Sequence, residues 1–127
     1  MATNTFPLAL IPSGWYMTWY MATMAGNSIQ ATLKDQSYTY VNATSPGGNG
    51  NFFLLAQGNS IVKAGGLSLT VNIPQAKLIQ IAGGPLVVTS PQSGLTIAAG
   101  YTLCYEDDVD NDFNDLFVSI MAWQRSN

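Results

Sequence analysis

Ten short runs rich in β-branched and aromatic residues recur along this chain, and each is closed by glycine, proline or small polar residues. They are "WYMTWYMAT", "SIQATL", "SYTYVNA", "NFFLLA", "LSLTVNI", "KLIQIA", "PLVVT", "LTIAA", "YTLCY" and "DLFVSIMAW". No segment holds a 3.6-residue apolar period for three turns, so helices have no foothold. Breakers separate the runs: "SPGGNGN" at 45–51, "AGG" at 64–66, "GGP" at 83–85 and "SPQSG" at 90–94. Strands this short at this spacing predict an all-β, single-domain antiparallel β-sandwich of about nine short strands spanning 1–127. In the run beginning at Trp15, residues Trp15, Met17, Trp19 and Met21 share one face of an extended strand, and Tyr16, Thr18, Tyr20 and Ala22 share the other. The first set should face the core. The same stripe could line a groove, but filling a sandwich explains it without a ligand.

Composition narrows the function. With 127 residues, 47% hydrophobic and 9% charged, the chain can bury roughly two-thirds of its unfolded surface and present a neutral exterior. Lys34, Lys63, Lys77 and Arg125 are scattered singly, so no basic stripe exists to track phosphates, and nucleic acid is not an expected partner. There is no histidine, which removes Ser-His-Asp and Cys-His nucleophile pairs and the usual zinc ligand sets. The glycine-rich "GGNGN" lacks the lysine and following helix of a phosphate loop. A glycosidase needs only two carboxyl groups, Glu106 and one aspartate, but six crowded acids are unlike such a tuned pair. No enzyme is expected.

No apolar run approaches 18 residues, and "MATNTFPLALIPSG" lacks the basic start and cleavage site of a signal peptide. The expectation is a soluble protein without membrane insertion, cytoplasmic or exported by a non-signal route. Cys104 is the single cysteine and reads as a buried, inert thiol. "NAT" at Asn42 fits a glycosylation acceptor, of meaning only in a eukaryotic secretory setting.

One stretch departs from this neutrality. "EDDVDNDFND", from Glu106 to Asp115, holds six of the seven acidic residues, the other being Asp35. Two unit charges about 4 Å apart repel by ~1 kcal/mol in water and ~4 kcal/mol at an effective dielectric near 20. A solvated acidic turn could relieve that repulsion by expanding, yet this segment joins two apolar strands that pin its ends. A hard cation relieves it otherwise. Calcium takes six to eight oxygens from carboxylates, amides and carbonyls, and Glu106, Asp110, Asp112, Asn114 and Asp115 offer that mixture. The alternating Asp108, Asp110, Asp112 and Asn114 imitate the start of a helix-loop-helix calcium site. That reading fails, because Phe113 and Ser119 stand where glycine and glutamate are needed and the flanks are strands.

"EDDVDNDFND", followed by an apolar strand with a tryptophan near the C-terminus, resembles the calcium loop of the bacterial fucose- and mannose-binding lectins, the PA-IIL-like family. A weaker likeness runs through "MTWYMATMAG". The resemblance implies two adjacent calcium ions that bind sugar hydroxyls directly. By position, Glu106 and Asp110 would hold the first ion, Asn114 the second, and Asp112 and Asp115 both. The Ala22 carbonyl would complete the second shell. Asp107 would accept a hydrogen bond from the sugar, Val109 replaces a hydroxyl residue near it, and Thr23, Met24 and Ala25 would form the loop that tunes sugar preference. Family members end in a Trp-Pro-Leu-Gly-like tail whose carboxylate reaches a partner's calcium. This chain ends "AWQRSN", with Asn127 in that role, and a homodimer or homotetramer is implied. The competing expectation is a calcium-stiffened structural or adhesin-type sandwich with no sugar site, since similar loops occur in β-rich surface domains.

Overall fold

The computed structural model of the chain describes residues 1–48, 50–107 and 112–125. Nine strands occur among them: β1 (Ala2–Pro7), β2 (Tyr16–Thr23), β3 (Gln30–Lys34), β4 (Thr39–Thr44), β5 (Phe53–Ile61), β6 (Ser68–Ile73), β7 (Ile79–Thr89), β8 (Thr96–Asp107) and β9 (Leu116–Trp123). They form two antiparallel sheets, one in the order β1-β6-β3-β4 and one in the order β5-β2-β9-β8-β7. One apolar cluster joins them: Leu33, Leu69 and Val71 of the first sheet meet Met17, Met21, Leu103, Tyr105, Val118 and Ile120 of the second. Phe6 and Tyr101 close the seam edge-to-face, ring centroids 5.7 Å apart. The expected all-β sandwich is present. Among the described residues no helix is long and apolar enough to cross a membrane.

Met17 and Met21 are fully buried, and Trp15 and Trp19 pack against the core from its edge, as the alternation in that strand predicts. The run count came out differently. "KLIQIA" and "PLVVT" are parts of one strand, β7, which passes through Gly83, Gly84 and Pro85 with its pairing to β8 unbroken. Gly83 adopts φ +126°, and a Cβ there would lie 2.0 Å from the Thr102 carbonyl oxygen, so only glycine allows this approach. Pro85 is tolerated because β7 is an edge strand. "LTIAA" and "YTLCY" likewise merge into β8. The ninth strand is β1, whose "ATNTFP" carries little apolar signal. Cys104 corrects its expectation too: its neighbours Leu103 and Tyr105 take the core side of β8, which leaves the thiol half-buried on the outer face.

The two outer faces differ. On the four-stranded sheet the cross-strand rows read Thr3–Asn72–Gln30–Thr44 and Thr5–Thr70–Thr32–Asn42. Their side chains pair with one another, as in Thr5 with Thr70 at 2.9 Å and Gln30 donating to Asn42 at 3.0 Å. On the five-stranded sheet one row reads Ile61–Tyr16–Trp123–Ala98–Val88 and another Leu54–Ala22–Phe117–Cys104–Ala82.

Candidate metal centre

Antiparallel pairing gathers three connections at one end of the sandwich. Residues 24–29 after β2, 45–48 after β4 and the described ends of the acidic segment meet there, through Asn27 with Asp107, Gly48 with Gly26 and Met24 with Asp115. β8 and β9 pair up to Tyr105–Leu116, and β2 and β9 up to Thr23–Leu116. The acidic segment thus leaves and re-enters the sheet beside Thr23, with both ends anchored.

Glu106, at the end of β8, is fully buried, and its Oε1 accepts the Phe113 N–H at 3.1 Å. Asp115, 5% exposed, accepts the Asp107 N–H on Oδ2 at 2.8 Å. Its own N–H donates to the Tyr105 carbonyl, and its carbonyl accepts from Met24, each at 3.2 Å. Phe113 turns the chain in the left-handed region at φ 52°, uncommon for an aromatic residue, and so redirects the segment toward β9. The outcome is a convergence. One carboxylate oxygen from each of Glu106, Asp112 and Asp115 lies within 4.8 Å of the others. At that spacing each pair of charges repels by roughly 3–4 kcal/mol at an effective dielectric near 20, and a divalent cation would turn the repulsion into attraction.

The donor set suits calcium. It consists of oxygens only, partly carboxylate and partly amide, which hard cations prefer. The Asn114 oxygen faces only acceptors. Turned over, its amide nitrogen would donate to Asp112 Oδ1 and Oδ2 at 2.8 and 3.1 Å. The oxygen-inward orientation fits a cation shared with Asp112; the nitrogen-inward one fits the loop without metal.

Of the expected ligands, Glu106, Asp112, Asn114 and Asp115 are therefore brought to one place, while Asp110 and Asn127 lie outside the described residues. Ala22 pairs with Phe117 and Leu54 beside this loop, at an irregularity between Met21 and Ala22. Among the residues expected near a sugar, Thr23 and Ala25 are buried, Met24 is exposed, and Asp107 sits at the rim; Val109 lies outside the described residues. One contact had not been foreseen: Asn27 Nδ2 donates to Asp107 Oδ2 at 2.9 Å and so fixes that carboxylate. Asn27 is in turn held by the glycine-rich segment. Gly48 N–H donates to the Gly26 carbonyl at 2.9 Å, and Ser28 Oγ donates to the Ser45 carbonyl at 2.6 Å. A Cβ on Gly47, at φ +72°, would come within 2.9 Å of the Ser28 nitrogen. No signal in "GNS" or "SPGGNG" predicts this, because the two segments meet only once β3 and β4 pair.

Solved structures with this architecture include a high-affinity mannose-binding lectin of Ralstonia solanacearum, at 16% identity and TM-score 0.67, covering 96% of each chain. A Chromobacterium violaceum lectin in complex with α-methyl-fucoside superposes at 14% identity and TM-score 0.65, again over 96% of both chains. The C-terminal domain of the lectin BC2L-C from Burkholderia cenocepacia does so at 16% identity and TM-score 0.63, over 97% of both. The fold is that of these bacterial lectins. The likeness thus extends along nearly the whole chain as architecture. No family model matches the sequence, and no curated protein matches it.

Proposed function

We propose that this protein is a calcium-dependent carbohydrate-binding lectin that acts by recognition and not by catalysis. The observation that carries the proposal is the convergence of the Glu106, Asp112 and Asp115 carboxylates at the end of a sandwich whose architecture is shared with sugar-binding lectins. Glu106 and Asp110 would hold one ion, Asn114 with the Ala22 carbonyl a second, and Asp112 and Asp115 both. Calcium held there would supply Lewis acidity toward the vicinal hydroxyls of a sugar. Asp107, held by Asn27, accepts a hydrogen bond from the sugar, and Thr23, Met24 and Ala25 set the shape of the rim beside it. Mannose-like or fucose-like sugars are the first ligands to try. Single sugar sites are weak, so a homodimer or homotetramer would gain avidity by linking them.

The deciding experiment is isothermal titration against a monosaccharide panel with calcium and then with chelator. Sugar binding that appears with calcium and vanishes with chelator is expected. Binding indifferent to chelator removes the mechanism. A calcium-raised melting temperature with no response on a broad glycan array would instead establish the calcium-stiffened structural module.

A further inference from the structure

Three large apolar side chains stand exposed beside the metal end. Met24 is 44% exposed, Phe52 61% and Phe53 39%. None of them belongs to the core cluster, to which β5 contributes Leu55 as its buried member. Strand pairing places them together. Phe53 is the cross-strand partner of Thr23 on β2, and Thr23 pairs on its other side with Leu116, the residue after Asp115. Met24 follows Thr23, and its N–H donates to the Asp115 carbonyl at 3.2 Å. A Cβ on Gly50 would stand 3.5 Å from the Met24 carbonyl oxygen, so the chain entering β5 also borders Met24. β5 is two strands from β9, roughly 10 Å, which a substituent on a sugar held at the acidic loop can span. With roughly 200 Å² per side chain, these exposures amount to on the order of 300 Å² of apolar surface, a size at which a patch on a monomer is often functional.

We infer that Met24, Phe52 and Phe53 form a platform for the apolar aglycone of a glycoside whose sugar is held at the metal loop. The inference rests on the lectin reading and names the ligand class of that site. The rim is two-sided. Toward β8 it is polar, where Asn27 fixes the Asp107 carboxylate and a sugar hydroxyl finds a partner. Toward β5 it is apolar: from Gly50 to Leu55 the only polar side chain is Asn51, and no charged residue occurs between Asp35 and Lys63. A second sugar ring on that side would bring several hydroxyls to a surface that returns few hydrogen bonds, at a cost for each one left unpaired. An aryl group brings none, and phenylalanine rings receive it stacked or edge-to-face.

Isothermal titration of the calcium-loaded full chain with the methyl and phenyl α-glycosides of mannose and of fucose tests the inference. The phenyl glycoside of whichever sugar binds should be roughly tenfold tighter than the methyl one, the gain from burying about 60 Å² of ring. Phe52→Ser together with Phe53→Ser should bring that ratio to within about twofold of one. Phe52→Ser alone, at the most exposed position, should lower the ratio partway and covers the case in which the double variant misfolds. Leu95→Ser, at an exposed position in the connection between β7 and β8, should leave the ratio at its wild-type value. A ratio near one in wild type overturns the inference, as does a wild-type ratio that survives in the Phe52 and Phe53 variants. A methyl glycoside of a mannose disaccharide that gains as much as the phenyl mannoside, and loses the gain in Phe52→Ser, would assign the platform to a second sugar ring and overturn the aglycone. Methyl glycosides that bind with a phenyl-to-methyl ratio near one overturn this inference alone. If no glycoside of either sugar binds, the lectin reading falls and this inference with it.

Discussion

Buried carboxylates occupy opposite ends of this sandwich, Asp35 at one and Glu106 with Asp115 at the other, and their surroundings differ. Asp35, beyond β3, is surrounded by donors. Its Oδ1 accepts the Ser37 and Tyr38 N–H groups at 2.8 Å each and the Ser37 hydroxyl at 3.2 Å. Its Oδ2 accepts the Lys63 and Ala64 N–H groups at 3.2 and 3.1 Å and the Tyr40 hydroxyl. Burial pushes its pKa up, but the hydrogen bonds from Tyr40, Ser37, Ala64 and Tyr38 outweigh burial and hold it at about 2. Burial and the Asp35 contact push Tyr40 the other way, to about 12, so the phenol remains a donor. Lys63 caps the cluster from outside, its Nζ 3.5 Å from the Tyr38 ring centroid. At the other end the buried Glu106 and Asp115 also accept backbone N–H groups, from Phe113 and Asp107, but with the exposed Asp112 they bring carboxylate oxygens within 4.8 Å of one another. An aspartate whose neighbours are donors is structural; acids that, besides their donors, face other acids call for a cation.

The largest effect expected from that contrast concerns calcium. At calcium about a thousandfold above its dissociation constant, wild type should gain about 4 kcal/mol in urea or thermal unfolding. Asp115→Asn or Glu106→Gln should lose most of that gain and weaken calcium binding by roughly a hundredfold, since affinity follows ligand charge. Equal calcium stabilisation in wild type and Asp115→Asn would erase the distinction between the two ends.

Next in size, Asp35→Asn should destabilise by about 2–3 kcal/mol with calcium or chelator alike, because an amide cannot accept all the donors the carboxylate accepts. Calcium affinity should stay within about twofold of wild type, because the two sites lie at opposite ends of the sandwich. A destabilisation that appears only with calcium would couple the ends and contradict this picture.

The pH dependence sharpens the same point. Asp35 has its folded pKa lowered from 3.8 to about 2, so its stabilisation is fully present above the unfolded value and is lost as pH falls through the folded one. In chelator, the stability gap between wild type and Asp35→Asn should therefore be constant above about pH 5 and narrow toward pH 2. A gap that is flat over that range would show that the carboxylate is not held by these donors.

The smallest effect belongs to the rim of the metal end. Asn27→Ala frees Asp107 and should weaken sugar binding by about fivefold, or roughly 1 kcal/mol, with the calcium midpoint unchanged. Titrations of sugar and of calcium on the same variant separate the two readouts, and a shift of both together would make Asn27 part of the metal site.

Much of this molecule was legible in its sequence, for a local reason. A strand's alternation is written in neighbouring residues, so the inward set Met17, Trp19 and Met21 could be read directly, as could the acid-and-amide order from Glu106 to Asp115. Strand boundaries were less legible. "GGP" reads as a breaker, yet β7 passes through it because Gly83 fits beneath the Thr102 carbonyl and Pro85 needs no donor at an edge. β1 was hidden because its stabilisation comes from pairing with β6, some 65 residues away.

The chain by itself determined the β-class, the absence of histidine chemistry, and an oxygen-rich cluster of charge that needs a cation or open solvent. Tertiary structure alone decided which of those acids converge, that Asn27 steadies Asp107 from 80 positions away, and that Tyr16, Trp123 and Val88 fall in one cross-strand row with Arg125 over the Tyr16 ring. The physical reason is range: side-chain alternation and charge density are properties of adjacent residues, whereas a cross-strand neighbour exists only after the loop between the strands has closed.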